Sequence, residues 1–311
     1  MNDLGARDES ASGPGARAEH RSAARPLELT FPASLAELSG RYDAVLCDLW
    51  GVVHDGRRVF EPAAAALRAF RARGGRVVLI SNVPKPRGVI PRQLERLGLA
   101  RDAWDALVTS GDATRAEFAA RAPGPMHLFG PRSDSILWDG LGIELATLER
   151  ASFIGATGLD DFDVETPADY TERLRRARER GLTMVCANPD IVVRLGERLH
   201  WCAGALARDY TQFGGQVVMC GKPHAPIYQL ALRELLELTG REPERARVLA
   251  IGDGLTTDVM GANREGLPAL FVASGIHGAS LHERSGLDRE KVEAALHEAR
   301  VHARYAMREL A

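Results

Sequence analysis

From Tyr42 onward the chain alternates apolar runs of strand length with charged amphipathic stretches, and this alternation restricts the fold more than any other feature. YDAVLCDL, PAAAALRAFRARG, RVVLISN and IPRQLERLG follow one another in that order. Short continuous runs of Val, Ile and Leu suit strands buried on both faces, and the stretches between them carry apolar residues at helical spacing. Parallel strands need such helical crossovers. The pattern therefore predicts βαβ units and an α/β fold built on a parallel sheet. The same grammar returns later as QVVMCGKP, APIYQLALRELLELTG, RVLAIGDG, TTDVMGANREG and ALFVASG. Gly74 and Gly240 stand where these helices are expected to stop.

Between the two halves lie MHLFG, ILWDGLG, ASFIGAT, PADYTERLRRARERG and TMVCAN, which read as a small α/β module of their own. The expected organisation is a disordered arm over residues 1–25, rich in Gly, Ala, Ser and charge. A core unit over 26–120 follows, then an inserted α/β module over 121–214 and the second part of the core over 215–311.

With 311 residues, 45% of them hydrophobic, the chain has material for two domains or for one with a large insertion. Its formal charge of −2 comes from 40 basic and 42 acidic side chains that are mixed along the chain. No basic stripe marks a nucleic-acid footprint, so a small-molecule partner is expected. No stretch approaches the roughly 18 apolar residues of a membrane span, and the opening MNDLGARDES lacks the basic start and apolar run of a secretory signal. A cytoplasmic protein without a membrane partner is expected. Cys47, Cys186, Cys202 and Cys220 show no C-x-x-C spacing and are read as reduced core residues.

Open α/β sheets bind ligands at the carboxyl ends of their strands, so the polar residues that follow each apolar run are the candidates for chemistry. AVLC ends in Asp48, VVLI in Ser81-Asn82, VVMC in Gly221-Lys222-Pro223, and VLAI in Gly252-Asp253-Gly254 with Asp258 one turn further on. Each residue alone also suits a turn or helix cap. Together they form a set for phosphoryl transfer, a reaction that rests on positioning and charge neutralisation. Asp48 would attack phosphorus and carry an aspartyl-phosphate, while Asp48 and Asp253 hold a hard cation, Mg²⁺. Lys222 and Ser81 would contact the phosphoryl oxygens, with Asn82 beside them as a substrate contact. Asp258 would complete the outer shell of the metal or orient Lys222.

At these motifs the sequence resembles the haloacid dehalogenase superfamily, in particular its class IIA, NagD-like or p-nitrophenyl phosphatase-like branch. The matching segments are CDLWGVVHDG at 47–56, LISN at 79–82, CGKPHAPIY at 220–228 and IGDGLTTDVMGANREG at 251–266. The resemblance implies a Rossmann-like parallel-sheet core with an inserted α/β cap, Mg²⁺, and a small phosphorylated metabolite as substrate. It also implies substrate contacts from the cap at Asn188, Asp190, Gly204 and Ala205, a backbone-carbonyl ligand to the metal from Trp50, and a homodimer through the cap.

One departure stands out. The family carries a second aspartate two residues after the nucleophile, which protonates the leaving alcohol and later activates water; here that position is Trp50. An indole N–H can do neither. Three readings follow. The first is a phosphatase or phosphotransferase whose proton transfers are left to water, to a good leaving group, or to His54 or Asp55. The second is a binding or regulatory protein that retains the pocket but turns over slowly. The third is a metal-independent 2-haloacid dehalogenase, for which the acidic pair Asp253 and Asp258 has no use.

Overall fold

The computed structural model describes residues 28–195, 198–275, 281–283 and 286–311. The arm expected over residues 1–25 lies outside the described residues. The larger sheet has six strands, all parallel. Their order is the edge strand Tyr305–Met307, then β11 (Ala269–Val272), β10 (Val248–Gly252), β1 (Ala44–Asp48), β2 (Arg76–Ser81) and β3 (Ala106–Thr109).

Burial on both faces explains why these strands read as continuous apolar runs. Val45, Cys47, Val77, Leu79, Leu249 and Ile251 point to one side, where α1 (Glu61–Ala72) and α2 (Pro91–Leu97) supply Ala63, Ala64, Leu67, Phe70 and Leu94. The alternate residues Leu46, Val78, Ile80, Val108 and Ala250 point to the other, where α6 (Ala225–Thr239) supplies Ile227, Tyr228, Ala231 and Leu235. Each buried Leu, Ile or Phe contributes about 1.5–3 kcal/mol through apolar area removed from water. Gly240 ends α6 at φ 69°, a left-handed geometry that suits glycine. The chain runs from β1 to β2 to β3 in one direction, then crosses to β10 and β11 on the other side of β1. Strand order therefore reverses between β1 and β10, which opens a crevice at their carboxyl ends.

A second, four-stranded parallel sheet has the order β4 (Met126–Phe129), β5 (Phe153–Ala156), β6 (Thr183–Cys186), β9 (Gln216–Met219). On one face α4 (Thr171–Glu179) and α5 (Ala203–Gln212) bury Leu174, Ala177, Leu206 and Tyr210 against Ile154, Met184 and Cys186. On the other, Met126, Phe153 and Val185 join Phe118 of α3 (Ser110–Ala119) in the same apolar cluster that contains Val78 and Ile80 of the larger sheet. The two sheets thus share a continuous core. An antiparallel ribbon, β7 (Val192–Leu195) with β8 (Arg198–Trp201), sits between β6 and α5 in the chain. No helix among the described residues is long and apolar enough to cross a membrane.

The segment QVVM differs from expectation. A break at 214/215 would place it in the larger sheet, but Gln216–Met219 pairs with β6 as the outer strand of the smaller one. Its residues are exposed or half-buried, as an edge strand allows, and the letters Val-Val-Met do not encode which sheet a strand will join. Lys222 therefore leaves the carboxyl end of the four-stranded sheet, facing the crevice from the opposite side to Asp48.

Candidate active site

The last residue of β1 is Asp48, fixed in register against Ile80 of β2 and buried with the rest of its strand. Its Oδ1 lies 2.6 Å from the ammonium of Lys222, and the same ammonium lies 2.6 Å from Oδ1 of Asp258. Lys222 is 3% exposed. Burial works against its charge, but Asp258 and Asp48 outweigh that and hold the ammonium above the ordinary lysine value. For Asp48 the balance goes the other way. Burial first, then the charge of Asp258, push its carboxyl well above the usual carboxylate range, with Lys222 offsetting only part.

Asp253 and Asp258 arrive from the turn after β10. One carboxylate oxygen from each of Asp48, Asp253 and Asp258 can be chosen so that all lie within 4.8 Å of one another. Backbone shape enforces this convergence. A Cβ at Gly51 would lie 2.2 Å from Oδ2 of Asp253, and one at Gly275 1.8 Å from the same atom. Only glycine lets the two segments close on that carboxylate, and Gly51 also sits at φ 80°. Gly252 likewise leaves room for Asp258, whose Oδ2 accepts from the Gly254 N–H at 3.1 Å and the Thr257 hydroxyl at 3.2 Å. These donors aim the other oxygen of Asp258 at Lys222. The segment from Leu255 to Val259 is a π-helical turn leading into α7 (Met260–Arg264), an irregularity common at functional sites.

Ser81 ends β2, and its Oγ accepts from the Val83 N–H at 3.3 Å, leaving its own proton for another acceptor. Asn82 is drawn into the protein. Its side chain bonds the backbone of Lys222 and the carboxylate of Asp190. Asn188 accepts from the Asp190 N–H at 3.0 Å and so shapes its own turn. Gly204 and Ala205 are buried in the first turn of α5. A Cβ at Gly204 would lie 2.1 Å from the Pro189 carbonyl oxygen. Gly204→Ala is accordingly expected to lower stability by about 1–3 kcal/mol, seen as a fall of several degrees in Tm. An unchanged Tm would show that the 188–190 turn yields freely.

Trp50 remains 52% exposed. Its ring lies over Gly56, where a Cβ would come within 2.4 Å of the indole, and meets His54 edge-on at 5.6 Å between centroids. His54 is buried, and burial holds its pKa below the usual value. Its Nδ1 lies 3.0 Å from the Gly56 N–H; since that N–H can only donate, Nδ1 accepts and the ring proton is on Nε2. Asp55 accepts from the Arg57 and Arg58 N–H groups, which hold its carboxyl below the ordinary range. That pinned, ionised carboxylate is a poor proton donor, which removes one of the two stand-in acids expected from the sequence.

Tyr228 is a participant that pattern reading passed over. Its hydroxyl donates to the backbone carbonyl of Asp258 at 3.3 Å beneath the ion pair. Its signal lay within the GKPHAPIY motif, on the apolar stripe of α6, where an aromatic residue reads as simple core.

Sequence models of two families match this chain: haloacid dehalogenase-like hydrolase over residues 45–144 and HAD-hydrolase-like over residues 219–299. Together these matches take in Asp48, Ser81, Lys222, Asp253 and Asp258. A solved hydrolase of the haloacid dehalogenase-like family from Brucella suis 1330 is 42% identical, covers 90% of this chain and all of its own, and superposes with a TM-score of 0.77. The chain belongs to the haloacid dehalogenase-like hydrolase family. Within this family it groups with class IIA. D-glycerol 3-phosphate phosphatase of Mycobacterium tuberculosis is 25% identical over 79% of this chain and 67% of its own length. Ribonucleotide monophosphatase NagD of Escherichia coli is 23% identical over 75% of this chain and 88% of its own.

Proposed function

We propose that this haloacid dehalogenase-like hydrolase is a Mg²⁺-dependent phosphatase that acts on a small phosphate monoester through an aspartyl-phosphate on Asp48. The observation that carries the reading is the buried ion pair of Asp48 with Lys222, set beside Asp253 and Asp258. The donor set fits a hard divalent cation: it offers oxygen ligands only, and burial and neighbouring carboxylates disfavour the ionised form of Asp48, which a dication would reverse. Asp48, Asp253 and the backbone carbonyl of Trp50 would hold the ion, with Asp258 outside them. When bound, it supplies charge neutralisation for the phosphoryl oxygens.

The protein's own groups do the rest. Asp48 attacks phosphorus as an oxygen nucleophile, the phosphorus–oxygen bond to the leaving group breaks, and water then cleaves the aspartyl-phosphate. Lys222 keeps Asp48 oriented, favours its ionised form in part and neutralises charge on the transferred group; the Ser81 hydroxyl donates to one of its oxygens. The four-stranded module acts as a cap that keeps bulk water from the crevice. The named relatives act on phosphates of glycerol and of ribonucleotides, which supports a small phosphorylated metabolite as substrate. Trp50 favours a narrower second reading: slow turnover, slowest with leaving groups that need a proton to depart. The cluster of buried carboxylates speaks against a metal-independent dehalogenase.

EDTA-treated protein is expected to lose p-nitrophenyl phosphate hydrolysis and regain it with Mg²⁺. Mg²⁺ should also raise the Tm of the wild type but not of Asp253→Asn. Hydrolysis that persists in EDTA would sink the metal-dependent reading.

A further inference from the structure

We propose that the side chain of Asn82 positions Lys222 rather than contacting substrate: its carboxamide clamps the backbone of Lys222 and ties it to Asp190, so that the larger sheet sets the lysine from across the crevice. The proposal rests on the phosphatase reading for its kinetic consequences and on geometry alone for the clamp.

Asp190 and Lys222 follow β6 and β9, which are neighbours in the four-stranded sheet with Cys186 in register with Met219. Asn82 follows β2 of the six-stranded sheet. Its Oδ1 accepts from the Lys222 N–H at 2.7 Å, while Nδ2 donates to the Lys222 carbonyl at 3.2 Å and to Asp190 Oδ1 at 3.0 Å. The orientation of the amide is not arbitrary. A backbone N–H can only donate, so the atom facing it is the oxygen, and the NH₂ group then faces two acceptors. Both polar atoms of the side chain are thereby engaged within the protein.

The clamp is held from both ends. The Ser110 hydroxyl donates to the Asn82 carbonyl at 2.8 Å, and Ser110 opens α3 beside the shared core. Gly221 lies so close that a Cβ there would meet Asn82 Oδ1 at 2.5 Å and Pro189 Cδ at 2.6 Å. Burial raises the pKa of Asp190, and the Asn82 bond is the largest influence opposing that rise. The backbone fixed in this way is the one whose side chain reaches Asp48 and Asp258. A shift at residue 82 thus reaches the ammonium within one residue of chain, and one at residue 190 reaches it through Asn82.

The test is an exchange of the two side chains, read by kinetics on p-nitrophenyl phosphate and by amide hydrogen exchange over residues 219–224. Asn82→Asp places a carboxylate against Asp190 and removes the donor, and is expected to lower kcat about 10–100-fold with KM changed less than about threefold. Asp190→Asn keeps an acceptor oxygen for the Asn82 amide and should lower kcat less than Asn82→Asp does. In the double variant the carboxamide now at position 190 can donate to the new carboxylate at position 82, and kcat should recover about tenfold relative to Asn82→Asp. A double variant no better than Asn82→Asp, or a loss that falls on KM alone, would overturn the proposal. Exchange at the 219–224 amides should quicken at least about tenfold in Asn82→Ala. Asp190→Ala, which leaves both Lys222 bonds in place, should quicken it less; if Asn82→Ala does not fold, Asn82→Asp, which loses the donor to the Lys222 carbonyl, supplies the measurement. Unchanged exchange in the well-folded protein, whichever of the two Asn82 variants supplies it, would remove the clamp. A wild type inactive on every phosphoester would defeat the phosphatase reading while the exchange measurement still decides this one.

Discussion

Asp48→Asn is expected to reduce kcat for p-nitrophenyl phosphate by about 10⁴-fold or more. The amide is nearly isosteric, and its oxygen can still accept from Lys222 where Asp48 Oδ1 lies at 2.6 Å. What disappears is the anionic oxygen that forms the bond to phosphorus, and neither neighbouring carboxylate replaces it. Asp253 is enclosed by Gly51 and Gly275, and Asp258 is held by Gly254 N–H, Thr257 and Lys222. Neither can swing into line. Stability supplies the control. Burial and the carboxylates of Asp258 and Asp253 all raise the pKa of Asp48, so neutralising it relieves repulsion and Tm should hold or rise in metal-free protein. A variant that keeps its Tm and loses its activity identifies the nucleophile. Retention of even a tenth of the activity would mean that a different oxygen attacks phosphorus.

The parallel sheet was legible because period-free apolar runs such as AVLC and VVLI have one common physical origin, burial on both faces, and Asp48, Ser81 and Asp253 each follow such a run. Lys222 was legible as a residue but not in its place. Its strand joins the smaller sheet, a choice made by tertiary pairing with β6 that no local pattern expresses. The roles of Asn82 and Asp190 were hidden for a related reason. The two lie 108 positions apart in the chain, and a polar residue after a strand looks the same whether it faces substrate or another side chain. Gly275 and Tyr228 show the same limit: a glycine in a loop and a tyrosine on an apolar stripe acquire meaning only from the carboxylates they approach. Trp50 was conspicuous from the outset because its neighbours conform to a motif and it does not, and the structure adds where the indole goes, onto Gly56 and away from burial.

That placement makes Trp50→Asp the change with the largest expected gain. A positioned general acid–base contributes about 10²–10⁴-fold in rate, and the residue to be replaced is half exposed, so its removal should alter stability by less than about 1 kcal/mol. The new carboxyl would stand two residues from Asp48, close to a group of buried carboxylates that favours a protonated form, the form able to donate to a leaving oxygen. The two halves of the cycle separate by leaving group. p-Nitrophenolate departs as an anion, so a gain with p-nitrophenyl phosphate reports activation of water on the aspartyl-phosphate. An alkyl phosphate needs a proton as well, so its gain should exceed that of the aryl ester. Equal gains would place the deficit in the second half alone, and no gain with either ester would show that the wild-type protein already moves its protons by another route, with His54 and its Nε2–H the next group to replace.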